Sequence, residues 1–319
     1  MNNIIYGLSD NDYHFSEPYR EYLSSSALKH YLKSPKYAKF AIDNPIKEDT
    51  YAFKLGSLLH SYMECAAKYS TDTNSAEHEW LKSIAVFYPP INKNKGKPYG
   101  ITTKVYNAAL DAFMQANQGK TIVNSDVLSQ VQAMSNSIIY ACGCTSEQIR
   151  KLLKWGEPEV SFFYEIEEGI KLKVRPDLLT RKKIIDFKST KSIDLKENEI
   201  NNIIITYGYQ ISSSMYQYVI HEITGEWLDF ILVFISNVPP YDCVMVNMSN
   251  YGYKYLPEYD MVVPGPGAIE FKKLLDLHIK CMKENEWPGA ETFIQPDNGV
   301  RVLEIQPPTY YSNRFVDDY

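Results

Sequence analysis

The chain has 319 residues and a mass of 36.8 kDa, with 45% hydrophobic and 23% charged residues. These proportions exclude disorder, collagen and coiled coil, and leave room for one large domain or two modest ones. A net charge of −6 argues against a uniformly basic nucleic-acid binder, but lysine and arginine concentrate in three runs, residues 29–47, 92–104 and 171–183.

The opening MNNIIYGLSDNDYHF has no basic region followed by an apolar core, so no secretory signal is expected and the chain is placed in the cytoplasm. Ser24–Ser26 followed by ALKHYLK reads as an N-capped helix that Pro35 stops or restarts. Tyr51–Tyr69 is the next helix, with Phe53, Leu55, Leu58, Leu59, Tyr62, Met63 and Ala66 at helical spacing. A Lys/Gly/Pro loop over 92–100 precedes a helix in KVYNAALDAFMQA; a second helix runs from Asn124 or Ser125 to about Tyr140, and a third covers Glu147–Lys154.

From Glu159 the period changes to two. EVSFFYEI, IKLKVRPDLLT and KIIDFKST read as a three-strand meander with a turn at Gly169. A helix is predicted at about Tyr207–Glu222, strands at Trp227–Ile235 and Cys243–Met248, and a last long helix at Ile269–Asn285. The longest apolar run, Leu228–Val238, contains Asp229 and falls short of the roughly 20 residues of a membrane span. The order predicts an α/β sandwich around a mixed sheet flanked by helices. It is read as a single domain over 1–319, mainly helical over 1–155, with an α/β core over 156–290 and a tail over 291–319. Five cysteines, Cys65, Cys142, Cys144, Cys243 and Cys281, make no disulfide framework, so reduced thiols are expected.

Two consecutive predicted strands end in acidic residues, Asp177 and Asp186, where apolar ones are expected. Alternation puts Lys171, Lys173, Arg175 and Asp177 on one face of the first strand, and Asp186 and Lys188 on one face of the next. If these strands are neighbours, two carboxylates and an ammonium meet at one end of the sheet. Carboxylates that close repel each other unless a cation lies between them, and hard oxygen ligands suit magnesium or manganese. The triplet alone is a poor signal, because Asp194-Leu-Lys196 and Glu270-Phe-Lys272 repeat it. The first of those decoys lies in a loop and the second in a helix, where i and i+2 do not face each other.

These residues resemble the PD-(D/E)xK nuclease superfamily, and within it the RecB-like branch that includes phage and prophage exonuclease VIII (RecE-like). Gly56-Ser-Leu-Leu-His60, with Glu64 beyond it, is similar to that branch's Gly-x-x-x-His helix. The resemblance implies His60 as a metal ligand, Glu159 as the acidic residue of the first core strand, Asp177 and Asp186 as the carboxylates, and Lys188 as the lysine. Gln210 is similar to the glutamine of a Gln-x-x-x-Tyr helix, although Ser214 holds the tyrosine position and Tyr216 comes two residues late. By the same resemblance, Asp177, Asp186, His60 and the Phe187 carbonyl would hold one or two Mg2+ or Mn2+ ions and Lys188 would orient the attacking water. Lys173 and Arg175, which alternation puts on the Asp177 face, are placed to meet phosphates.

The activity implied is exonucleolytic hydrolysis of linear double-stranded DNA, 5'-to-3', in phage-type recombination within a bacterial cell. A homo-oligomer and a single-strand annealing partner are implied with it. No iron-sulfur cluster is expected, since Cys142 and Cys144 have no C-terminal cysteine cluster to complete a ligand set. The alternatives are an inactive DNA-binding or assembly protein on the same fold, and an endonuclease of the same superfamily.

Overall fold

The computed structural model describes residues 3–45, 50–69, 72–140, 144–166 and 169–293. Its chain divides into two compact units, one of Met1–Ser25 with Lys47–Lys273 and one of Ser26–Ile46 with Leu274–Tyr319.

The N-terminal segment forms β1 (Asn3–Ile5), α1 (Asp10–Phe15), β2 (Leu23–Ser24), α2 (Ser25–Lys29) and α3 (Pro35–Asp43). Helix α1 was not expected; Ser9 caps it by accepting the Asp12 N–H at 3.0 Å. The helix predicted over ALKHYLK is a short α-helix followed by a 3-10 turn at His30–Leu32, and Pro35 restarts rather than continues it. Proline suits that first position because its missing N–H would have no intrahelical partner there.

Next come α4 (Tyr51–Lys68), α5 (Thr73–Lys82), β3 (Ile84–Val86), β4 (Ile91–Asn92), β5 (Lys97–Pro98), α6 (Lys104–Ala116), β6 (Thr121–Val123), α7 (Ser125–Tyr140) and α8 (Cys144–Trp155). Helices α4, α6 and α7 match their predicted spans. The side chains of Thr50, Thr103 and Asn124 accept the N–H groups of Phe53, Tyr106 and Val127, which accounts for the starts of these helices.

The C-terminal half contains β7 (Glu157–Pro158), β8 (Ser161–Glu165), β9 (Lys171–Val174), β10 (Leu178–Leu179), β11 (Lys183–Thr190), α9 (Glu197–Tyr207), α10 (Tyr209–Thr224), β12 (Asp229–Ser236), β13 (Cys243–Asn247), β14 (Tyr253–Leu256), β15 (Met261–Pro264) and α11 (Pro266–Glu284). The expected meander is corrected: its strands belong to two sheets, β1-β8-β9-β2 and β13-β12-β11-β10-β7. The predicted strand 170–180 breaks at Arg175–Asp177, where Pro176 has no N–H for a ladder. The chain also changes sheet at Glu159, whose φ of 53° is unusual for a residue with a side chain. Both crossings lie at one level, since Leu178 pairs with Pro158 and the Glu159 N–H reaches the Asp177 carbonyl.

Strands β11 and β12 run parallel; β12 is buried from Phe230 to Ser236 and β11 from Ile184 to Phe187, as expected where a strand is covered on both faces. Ile185, Phe187, Ile231, Val233 and Ile235 pack with Leu55, Leu59 and Met63 of α4 and with Val131, Met134 and Ile138 of α7. On the opposite face Phe230 and Phe234 meet Tyr216 and Tyr209 of α10.

The smaller unit has a buried Tyr31 hydroxyl on the His278 Nδ1 at 2.6 Å, and the Lys36 N–H donates to the Pro288 carbonyl at 3.0 Å. Among the described residues no helix is long and apolar enough to cross a membrane.

Candidate active site

The β10–β11 ladder ends at Leu178↔Ile185. One step further, the Phe187 backbone still directs its N–H and C=O toward the β10 side, and side chains take them in place of a strand. The Phe187 N–H donates to Asp177 Oδ2 at 2.6 Å, and its carbonyl lies 2.7 Å from His60 Nε2. The other ring nitrogen, His60 Nδ1, lies 3.2 Å from Asp177 Oδ1. Two oxygen acceptors on two ring nitrogens call for both N–H groups, so this arrangement suits the imidazolium. Burial opposes that charge, yet Asp177 and its hydrogen bond outweigh the burial and raise the His60 pKa.

Asp186 and Lys188 project from the other face of β11 and form an ion pair at 2.5 Å. Burial and the nearby Asp177 charge raise the Asp186 pKa, with Lys188 opposing. For Asp177, burial is outweighed by His60 and Lys188, and its pKa falls. Lys188 is held above its ordinary range, since Asp186 and Asp177 overcome the cost of burying its charge. Its ammonium also stands 5.8 Å from the Tyr209 ring centroid. Glu159 joins from the first sheet crossing; burial and Asp177 push its pKa up to about 8, although Arg175 Nε pairs with it at 2.8 Å.

Six of the residues singled out in the sequence therefore converge: His60, Glu159, Asp177, Asp186, Phe187 and Lys188. Three others do not act as expected. Lys173 is 4% exposed and donates to the carbonyls of Tyr13 and Tyr19 at 2.6 and 2.9 Å, so it cannot meet phosphates. The face read as ionic is covered by α1 and the turn after it. Burial and Arg175 lower the Lys173 pKa to about 8, and a neutral amine still supplies both donors. Arg175, its side chain 10% exposed, is held by Glu159 and Asp10, so the phosphate contact expected of it is corrected too. Gln210, similar in sequence to the glutamine of the Gln-x-x-x-Tyr helix, is buried, and its Nε2 donates to Glu270 Oε2 on α11 at 2.9 Å. Glu64 pairs with Lys68 at 2.6 Å.

Sequence reasoning passed over Tyr209 and left Tyr216 without a role. Tyr216 is partly buried on α10, and its hydroxyl donates to the Arg175 carbonyl at 3.3 Å, beside the strand break. Tyr209 stands next to Gln210, and the glycine before it, Gly208 at φ 65°, is the only local mark that a new helix begins there.

Residues 24–292 match the model of a family described as a PDDEXK-like domain of unknown function, DUF3799. The chain belongs to this family. The PDDEXK-like assignment fits the α/β architecture, which is that of the PD-(D/E)xK nuclease fold. A crystal structure of a candidate exonuclease from Eubacterium rectale is similar over 96% of this chain and 97% of that one, at 18% identity and a TM-score of 0.46. No curated protein matches the sequence.

PD-(D/E)xK enzymes generally use divalent metals. Among the described residues no three His, Cys, Asp or Glu side chains stand together in metal-holding geometry, and His60 and Asp177 bond to each other and to Phe187. The donor types nevertheless fit a hard divalent ion: two carboxylates, a main-chain carbonyl and one imidazole. Cys65, Cys243 and Cys281 are free thiols, whereas Cys142 and the Cys144 side chain lie outside the described residues.

Proposed function

We propose that this PDDEXK-like protein is a metal-dependent exodeoxyribonuclease that degrades linear double-stranded DNA from its ends, 5'-to-3', as its resemblance to the exonuclease VIII branch implies. The observation that carries the reading is the meeting of His60, Asp177, Asp186 and Lys188 around the Phe187 peptide, at the point where β10 leaves β11. Mg2+ or Mn2+ held by Asp177, Asp186, His60 and the Phe187 carbonyl would polarise the phosphate, lower the pKa of water and stabilise the leaving alkoxide.

Around that ion the chain's own groups have separate tasks. Lys188, kept protonated by Asp186, donates to the attacking water or the phosphoryl oxygen as negative charge builds. The Phe187 N–H fixes Asp177, and Arg175 fixes Glu159, so both carboxylates keep their orientation without a partner strand. The Tyr209 ring stands beside the ammonium, with its centroid 5.8 Å away, and adds a favourable cation–π contact.

Incubation of the purified protein with linear and covalently closed duplex DNA in magnesium tests the reading. Linear DNA is expected to disappear progressively from its ends while closed circles survive. Rapid cutting of closed circles would replace exonuclease with endonuclease, and absence of cleavage with any divalent ion would remove the nuclease reading altogether.

The same resemblance supports a closed homo-oligomer that passes single strands to an annealing protein in phage recombination. A ring also lets an acidic chain surround a polyanion with its basic segments turned inward. Light scattering is expected to give a multiple of 36.8 kDa; a monomer that remains processive would exclude the ring.

A further inference from the structure

The two cations assigned to phosphate contact by strand alternation are internal, so the question is which cations of the larger unit remain for a polyanion. Between Phe87 and Leu110 the sequence holds Lys93, Lys95, Lys97 and Lys104 and no acid. The first three lie on the hairpin of β4 and β5, paired as Ile91↔Pro98 and Asn92↔Lys97, and all four are exposed.

The hairpin makes its own hydrogen bonds. Asn92 O accepts the N–H groups of Lys95 and Gly96 at 3.0 and 2.8 Å, Asn92 Oδ1 accepts that of Asn94 at 3.0 Å, and Tyr99 N–H closes on Pro90 O at 3.0 Å. At its base the Phe87 N–H donates to Val123 O at 2.7 Å, and the Phe87 ring packs against Tyr106 and Phe113. The arm is thus a structured element anchored in the fold. It carries exposed apolar groups as well, Tyr88 and Ile101 each at 72%.

Elsewhere in this unit four exposed lysines have a carboxylate partner, Lys68 with Glu64, Lys82 with Glu79, Lys151 with Glu147 and Lys196 with Asp194. None of Lys93, Lys95, Lys97 and Lys104 pairs with a carboxylate among the described residues. An acidic protein that keeps three cations unneutralised on an ordered hairpin and a fourth at the start of α6, interleaved with exposed aromatic and aliphatic side chains, offers the surface expected of a polyanion site.

We propose that the β4–β5 arm is a DNA-backbone clamp, holding phosphates outside the scissile position through Lys93, Lys95 and Lys97 with Tyr88 and Ile101 in apolar contact. This rests on the nuclease reading and adds the element that holds its substrate.

Two triple variants with equal change of charge test it. One is Lys93→Gln, Lys95→Gln and Lys97→Gln; the other is Lys82→Gln, Lys151→Gln and Lys196→Gln, which removes lysines already paired. Binding of a fluorescent linear duplex is measured by anisotropy without metal, from about 50 to about 200 mM NaCl, where each lost phosphate contact lowers the salt slope by about 0.9. The arm variant is expected to lose about 2 to 3 from the slope, and on the order of 10-fold in affinity at the middle of that range. The paired-lysine variant should stay close to wild type.

Equal losses in the two variants, or an unchanged slope in the arm variant, would overturn the clamp. If the wild type still digests linear DNA in that case, the nuclease reading survives without the arm. A wild type that neither binds nor cuts DNA would sink both. Exposed lysines leave the core intact, and matched thermal melts verify that each variant is folded.

Discussion

At the scale of single residues, the site depends on backbone groups as much as on side chains. Phe187 contributes an N–H and a carbonyl that lost their ladder partners when β10 ended, and Asp177 and His60 are in place because buried main-chain groups must be satisfied. The carboxylates and the lysine were legible in the sequence because charged residues in a β-periodic run are conspicuous. The fate of Lys173 was not, because alternation tells which face a side chain takes and not what covers that face.

The roles proposed for these residues separate on substitution. Asp177→Ala and Asp186→Ala are expected to abolish cleavage and weaken metal binding, while affinity for DNA without metal holds or rises because a negative charge near the phosphate is gone. Lys188→Ala should bind metal and DNA near normally and turn over about 100-fold more slowly, the usual scale for one lost electrostatic donor. Lys196→Ala and Lys272→Ala, from the two decoy triplets, should remain active. Single-turnover digestion of end-labelled duplex at saturating magnesium measures all five. A wild-type rate in Lys188→Ala, together with loss in either decoy, would place the chemistry on the wrong strand.

At the scale of elements, the long amphipathic helices announced themselves through caps and apolar spacing, and α6 spans its predicted sequence end to end. The misses have physical causes. Helix α1 has too few turns to develop a stripe, the β14–β15 hairpin is partly exposed with no alternating buried face, and the burial of the polar side of α10, with Gln210, Ser213, Ser214 and Gln217 inside, leaves no apolar mark in the sequence.

Two glycines show how tightly the elements fit. A Cβ on Gly56 would meet only Ser189 Oγ at 3.6 Å, an ordinary contact, whereas one on Gly267 would lie 2.7 Å from both the Cβ and carbonyl oxygen of Gln210 and 2.9 Å from Tyr251 O. Gly56→Ala should therefore stabilise α4 by about 0.5–1 kcal/mol and keep activity. Gly267→Ala should destabilise by about 1–3 kcal/mol, because backbone has to move. Urea denaturation of both variants checks the pair, and a Gly56→Ala protein less stable than Gly267→Ala would contradict the packing described for these helices.

At the scale of the whole molecule, the chain forms two compact units, and the smaller one draws on segments more than 200 residues apart, which no local pattern reveals. Its buried polar contact gives it a pH response of its own. His278 is 7% exposed, and burial lowers its pKa to about 4 while Tyr31 donates to its Nδ1. A histidine depressed in the folded state stays neutral there while the unfolded chain takes up a proton below about 6.5, so its stabilising effect is complete above that pH and is lost as the pH falls toward 4. At pH 5 the loss amounts to about 2 kcal/mol. Trp287 lies 6.3 Å from the His278 ring and is the only tryptophan of the smaller unit, so its fluorescence reports on that unit. A variant with Trp80, Trp155 and Trp227 replaced by Phe should show urea unfolding that weakens by about 2 kcal/mol between pH 7 and pH 5. Adding His278→Asn keeps an acceptor for Tyr31 and removes the titrating group, and most of that pH-dependent loss should go with it. An equal loss in both proteins would assign the acid sensitivity to other groups and leave His278 a packed side chain without a part in it.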